Sequence, residues 1–159
     1  MSLRLNCKME LLPTTNLSLE DRLSLLKSYL KDFPLSPWSQ NYFFSFLSDS
    51  SRSSLGFCIK ENDVLIGFIL GRLLSKDSSV FCLSALWIDS DLRGKGLGGE
   101  LVKNLIFAIS SRKKIKKIIL HFRDANDLKD FYSRLGFSGH TLCGIYSNGD
   151  LKHYMELNV

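Results

Sequence analysis

The residues best suited to chemistry sit in one short stretch, Arg93-Gly94-Lys95-Gly96-Leu97-Gly98-Gly99. An apolar segment ending Leu86-Trp87-Ile88 precedes it. After it, Leu97, Leu101, Leu105 and Ile109 recur every four residues, as on one face of a helix. A strand therefore ends, a glycine-rich turn follows and a helix begins at the glycines. The first amides of a helix lack intrahelical partners and carry partial positive charge, so they suit an anion. Glycines let backbone approach phosphate oxygens closely. Arg93 and Lys95 add full charges, and a diphosphate is the natural guest. Gly94 to Gly99 also spells G-x-G-x-x-G, but a dinucleotide fold is excluded. Several strands precede the motif, too few residues follow it, and the region about 20 positions on, Lys113 to Leu120, is basic and apolar instead of acidic. No Gly-Lys-Ser/Thr of a P-loop is present.

The elements that must position this turn come from a chain of 159 residues, a length that predicts one domain spanning 1–159. Apolar residues make up 45% and charged residues 23%, enough for a packed core and unlike a disordered chain. The net charge of +5 resides in Arg112-Lys113-Lys114-Ile115-Lys116-Lys117, without which cations and carboxylates balance. This cluster reads as a solvated helix end or as a contact for an anionic partner, and nucleic acid is not expected. Cys7, Cys58, Cys82 and Cys143 lack metal-ligand spacing, so no metal is expected; Cys58 and Cys82 lie in apolar runs and read as core. No apolar run approaches the roughly 20 residues of a membrane span, and nothing resembles a signal peptide. A cytoplasmic, reducing setting is the expectation.

Along the chain, a strand is predicted near Lys8–Leu12 and a turn at Pro13–Asn16. A helix capped by Ser18 and Asp21 should carry Leu19, Leu23, Leu26 and Leu30 on one face. Pro34 and Pro37 break it, and Ser36 or Ser39 caps a second helix over about Trp38–Leu47. Ser48–Ser54 reads as a loop. Leu55–Lys60 and Val64–Arg72 flank Glu61-Asn62-Asp63 as a hairpin, and Val80–Ile88 suits a strand buried on both faces. Lys117–Phe122 is a further strand, Asp127–Leu135 a short helix ended by Gly136, and Phe137–Cys143 with Leu151–Leu157 a last hairpin. The fold class is α/β (α+β), helices packed on a mixed, mostly antiparallel sheet.

Arg93, Gly96 and Gly98 also meet the pattern R-x-x-G-x-G, and here the chain resembles the GNAT superfamily of acyl-CoA-dependent N-acyltransferases. The resemblance is strongest over Leu86–Leu105 and Asn126–Phe137, where Phe131-Tyr132-Ser133-Arg134-Leu135-Gly136-Phe137 looks like the family's tyrosine-bearing helix. It implies that Arg93, Gly94, Lys95, Gly96, Leu97, Gly98 and Gly99 bind the coenzyme A pyrophosphate. It also implies that the strand splays so that Leu86, Trp87 and Ile88 hold the pantetheine arm and thioester. Tyr132 would be the general acid near the sulfur, or else an aromatic core residue. Asn126 resembles an asparagine that contacts the arm, although it precedes Tyr132 by six positions where many members have seven. The implied partners are acetyl-CoA and a primary amine, a protein α-amine or a small molecule, served by a monomer or homodimer.

The implied reaction is direct attack of the amine on the thioester. A lysine-like amine is about 10³- to 10⁴-fold protonated at neutral pH, so a base is needed, or an α-amine with a pKa near 8. Val80–Ile88 contains no carboxylate. The position where some relatives carry a glutamate on the next strand approximately matches His121, a base or a structural histidine. Water routed through Ser84 or Asp124 is the other proton path. The Ile88 N–H is the candidate oxyanion donor. Trp38, Tyr42 and Tyr146 would wall the acceptor cleft or pack the core. The missing strand carboxylate leaves a catalytically silent acyl-CoA sensor as the alternative.

Overall fold

The Asn62-Asp63 pair adopts left-handed backbone, φ 50° and 66°, the conformation a two-residue hairpin turn demands. It joins strands β2 (Phe57–Glu61) and β3 (Val64–Leu74). The computed structural model describes residues 9–32, 39–48, 55–74 and 77–159. The remaining elements are β1 (Met9–Pro13), α1 (Leu19–Asp32), α2 (Gln40–Ser48), β4 (Asp77–Ile88), α3 (Leu97–Ser110), β5 (Lys117–Arg123), α4 (Lys129–Arg134), β6 (Ser138–Ile145) and β7 (Leu151–Asn158). Lys8 and residues 33–38 and 49–54, on which parts of the sequence reading fall, lie outside the described residues.

Seven strands form one sheet in the order β1-β2-β3-β4-β5-β7-β6. All neighbours are antiparallel except β4 and β5, which run parallel with α3 as the crossover. The expected mixed, mostly antiparallel sheet flanked by helices is the observed one. Two cores lie on its opposite faces. On one, the Leu97, Leu101, Leu105 and Ile109 stripe of α3 packs against Ile69, Phe81, Ile118 and Met155. On the other, Leu25, Leu26 and Tyr29 of α1 and Phe43 and Phe46 of α2 cover Cys58, Phe68, Ala85 and Trp87.

The α1 cap forms as expected: the Asp21 N–H donates to Ser18 Oγ at 3.1 Å and the Ser18 N–H to Asp21 Oδ2 at 3.3 Å. Lys60 on β2 then pairs with Asp21 at 2.8 Å, tying the cap to the sheet. The buried face of α1 differs from the expected one. Leu26 is buried, but Leu19, Leu23 and Leu30 are exposed, and Leu25 and Tyr29 take their place. A spacing of four fits either of two overlapping stripes, and contact with α2 and β3 selects one. At the second helix Ser39 is the cap, accepting from the Tyr42 N–H at 3.1 Å. The basic cluster is also reduced, because Lys117 pairs with Glu156 at 3.1 Å.

Candidate active site

Strand β4 is bent by a bulge. Leu70 faces Ala85, while Gly71 faces Leu83, leaving Ser84 as the extra residue. The bulge shifts the alternation, so Leu83 and Leu86, three apart, belong to the same core face. Pairing of β4 with β5 stops at the same place, running only over Val80–Leu83 and Lys117–Leu120. Beyond it the strands part, and a cleft of about 1000 Å³ opens between them, at the upper end of the usual range for small-ligand sites of about 300–1,000 Å³.

The Asp89 N–H donates across to Ile66 O of β3 at 2.8 Å. Amides alternate along a strand, so those of Leu86 and Ile88 point the other way, to the edge that β5 has left. The amide of Trp87 turns toward β3, and its contribution to the cleft is its indole. The glycine turn closes this end. Gly94 and Gly96 have φ of 77° and 83°, and a Cβ on either would meet nothing within 4 Å. Gly96 is the residue before α3 and supplies no side-chain cap. The Leu97, Gly98 and Gly99 amides are therefore aimed into the open space that the glycines leave.

The structure gives Arg93 a different task from the expected free charge. Its Nε donates to Ile88 O at 2.9 Å and its guanidinium pairs with Asp32 at 3.1 Å. Asp32, the last residue of α1, also accepts the Trp87 Nε1–H. It is the only carboxylate lining the cleft among the described residues. One carboxylate thus joins α1, β4 and the glycine turn. Nothing local in the sequence marks it, since its partners lie 55 and 61 positions away. Lys95 is exposed and does not line the cleft.

Across the cleft stand His121 and Asn126, with Phe131 and Tyr132 from α4. Tyr132 is 4% exposed, wedged among Phe122, Phe131 and Phe137, and burial pushes its phenol upward from the ordinary value. A phenol held protonated in this way donates a proton and does not accept one. His121 lies tilted beside Tyr154, ring centroids 5.6 Å apart. Desolvation at the cleft wall, with the charge of Lys152, draws its imidazole below the ordinary value. It is consequently neutral at pH 7 and able to take a proton.

Of the two other proton carriers considered, Ser84 lines the cleft, whereas Asp124 does not and instead bonds His153 at 2.7 Å. Tyr146 lines the cleft; Tyr42 is 37% exposed and does not; Trp38 lies outside the described residues. Tyr29 and Arg123 are lining residues to which the sequence reading gave no role. Arg123 was accessible to it, since it shares the strand face of His121 two positions on.

A family model described as "Acetyltransferase (GNAT) family" matches residues 22–137. The chain belongs to the GNAT acetyltransferase family. The matched span contains the whole of the glycine turn, β5 and the α4 tyrosine. Solved GNAT structures share the fold across nearly the full length. Arabidopsis thaliana NAA60 in complex with a bisubstrate analogue superimposes with a TM-score of 0.77 at 13% identity, covering 96% of this chain and 99% of that one. Arabidopsis thaliana Naa50 in complex with the bisubstrate analogue CoA-Ac-MVNAL gives 0.74 at 18% identity, covering 95% and 99%. The ribosomal-protein-S18-alanine N-acetyltransferase from Escherichia coli gives 0.73 at 21% identity, covering 96% and 94%. Comparison with curated proteins finds no match. No helix among the described residues is long and apolar enough to cross a membrane.

Proposed function

We propose that this GNAT protein is an acetyl-CoA-dependent N-acetyltransferase acting on a primary amine, with a peptide α-amine the favoured acceptor. The observation that carries this reading is the parting of β4 from β5 beside the glycine turn. It presents two strand amides and the start of α3 to one elongated ligand. The residues fit coenzyme A on their own chemistry: left-handed glycines whose absent Cβ atoms leave a cradle, unpaired helix amides for phosphate, and an open strand edge for an amide-bearing arm. In this reading Gly94–Gly99 hold the pyrophosphate, with Arg93 bracing the turn. Leu86 and Ile88 pair with the arm through their backbone, Trp87 shapes the opposite wall, and Asn126 contacts the arm.

The amine nitrogen bonds to the thioester carbonyl carbon, the carbon–sulfur bond breaks, and the sulfur leaves. The Ile88 N–H donates to the carbonyl oxygen as it gains charge. His121 removes the amine proton, directly or through one water. Tyr132 protonates the departing sulfur, a modest contribution because a thiolate leaves readily.

The acceptor preference rests on the cleft's charge. The single carboxylate among its described lining residues is already bonded to Arg93 and Trp87. A polyamine would find no free carboxylate among the described lining residues, whereas a peptide amine flanked by apolar groups would meet Tyr29, Leu83 and Tyr146. The Naa50 structure, which carries the analogue CoA-Ac-MVNAL, supports the same direction. The bonded state of Asp32, the only carboxylate among the described residues lining the cleft, also supports a second reading, acyl-CoA binding without turnover. Thiol release from acetyl-CoA with a panel of peptides and small amines separates the two. Turnover with peptides upholds the first, binding with no turnover on any amine upholds the second, and neither binding nor turnover removes both.

A further inference from the structure

Arg123 ends β5 at the acceptor end of the cleft, and its side chain is 15% exposed. Its guanidinium carbon lies 3.8 Å from the centroid of the Tyr146 ring. Nη1 donates to Asn148 Oδ1 at 3.0 Å and reaches Asp150 Oδ2 at 3.5 Å. The turn between β6 and β7 is closed on itself as well: the Tyr146 N–H donates to Asp150 O at 2.8 Å and the Gly149 N–H to Tyr146 O at 2.9 Å. Asn148 and Asp150 are further joined, side chain to side chain, at 2.9 Å. Beyond this turn β7 is anchored by its pairing with β5, whereas β6 is the edge strand of the sheet. Strand β6 is exposed along nearly its whole length, and Ile145, next to Tyr146, is 70% exposed. The Tyr146 ring is half-buried under two cations, the Arg123 guanidinium at 3.8 Å and, farther off, the Lys152 ammonium at 5.7 Å, and of the two Arg123 is the one whose side chain also bonds the turn.

We propose that Arg123 is the positioning residue of the acceptor wall: it holds the Tyr146 ring and the Tyr146–Asp150 turn against the cleft, and thereby sets acceptor binding without taking part in proton transfer. The inference rests on the acetyl-transfer reading and names what shapes its second substrate site. Planarity matters here as much as charge. A guanidinium can lie flat on a ring while donating in its own plane, which an ammonium cannot do.

The test compares Arg123→Gln, Arg123→Lys, Tyr146→Leu and the Gln/Leu double variant with the wild type, using acetyl-CoA and a short peptide. For Arg123→Gln the peptide KM should rise about fivefold or more, the order that a cation–π contact and a charge-assisted hydrogen bond are worth. Its kcat should stay within about twofold, and CoA affinity by calorimetry should not change. Arg123→Lys should restore only part of the KM, and the double variant should be no worse than Tyr146→Leu alone, since both act through one ring. An unchanged KM, additive effects in the double variant, or a parallel loss of CoA affinity would overturn the proposal. Amide exchange provides the reading that does not depend on turnover. If the wild type acetylates no amine, the enzymatic reading fails by itself. Faster exchange at Tyr146, Gly149 and Asp150 in Arg123→Gln, with an unchanged melting temperature, still upholds the Arg123 assignment; unchanged exchange there overturns it.

Discussion

At the scale of single residues, environment separates the proposed proton donor from the proposed proton acceptor. Tyr132 is buried among aromatic rings and kept protonated; His121 faces the cleft and is kept neutral. Replacing His121 by Ala is expected to lower kcat by about 10²-fold, and Tyr132 by Phe by only about tenfold, each with little change in CoA affinity, read by steady-state kinetics beside calorimetry. The sign of the pH dependence follows from His121. A base works deprotonated, and its imidazole lies below the ordinary value, so kcat with saturating acceptor should rise with pH below about 6.5 and level off above it. That acidic limb should vanish in His121→Ala. A limb placed above neutrality, or one unaltered by the substitution, would assign the proton to another group.

At the scale of elements, two junctions decide the cleft. The first is the glycine turn before α3. Gly96→Ala would place a side chain at φ 83°, where left-handed backbone costs about 1–2 kcal/mol, while its Cβ would touch no protein atom. Stability in urea should therefore fall only modestly, whereas CoA affinity should fall far more, because the Cβ stands in the cradle. The second is the β4 bulge. There Gly71 faces Phe81 so closely that a Cβ would lie 2.4 Å from its ring and 2.6 Å from Cys82 O. The backbone oxygen cannot give way, so Gly71→Ala should destabilise by about 1–3 kcal/mol or more in a denaturant titration. The same bulge explains what the sequence left hidden. Val80–Ile88 reads as one continuous apolar strand, and nothing in that run of side chains says that pairing on one edge ends at Leu83.

At the scale of the whole molecule, the sheet is two blocks joined by a short seam. Among the described residues, strands β1–β4 and β5-β7-β6 are joined in the sheet by four residue pairs, Val80–Leu83 with Lys117–Leu120, and by the Lys116 N–H donating to Ser79 O at 2.7 Å, reinforced by α3. A ligand lying in the cleft touches both blocks. Saturating CoA should thus raise the melting temperature and slow amide exchange on β4 and β5 together, by about 2.7 kcal/mol at a hundredfold excess over its dissociation constant. Slowed exchange confined to the glycine turn would place the ligand outside the seam. Asp32 belongs to this scale too, since it ties α1 to β4 and to the turn before α3. Asp32→Ala leaves a partly buried indole N–H and a guanidinium without their acceptor, and a loss of about 1–3 kcal/mol is expected.

Local chemistry alone determined the elements and the glycine turn. A period of four brought the leucines of α3 to one face, glycines marked the left-handed turn at its start, and Ser18 with Asp21 fixed where α1 begins. Each of these depends on contacts within a few residues, which one stretch of chain contains entirely. Tertiary structure decided which stripe of α1 is buried, where β4 and β5 part, and that Asp32, Arg93 and Trp87 form one junction. It also decided that Arg123 holds Tyr146. Those outcomes depend on surfaces and partners brought together from 14 to 61 positions apart, and spacing along a chain carries no record of which distant partner a side chain will meet.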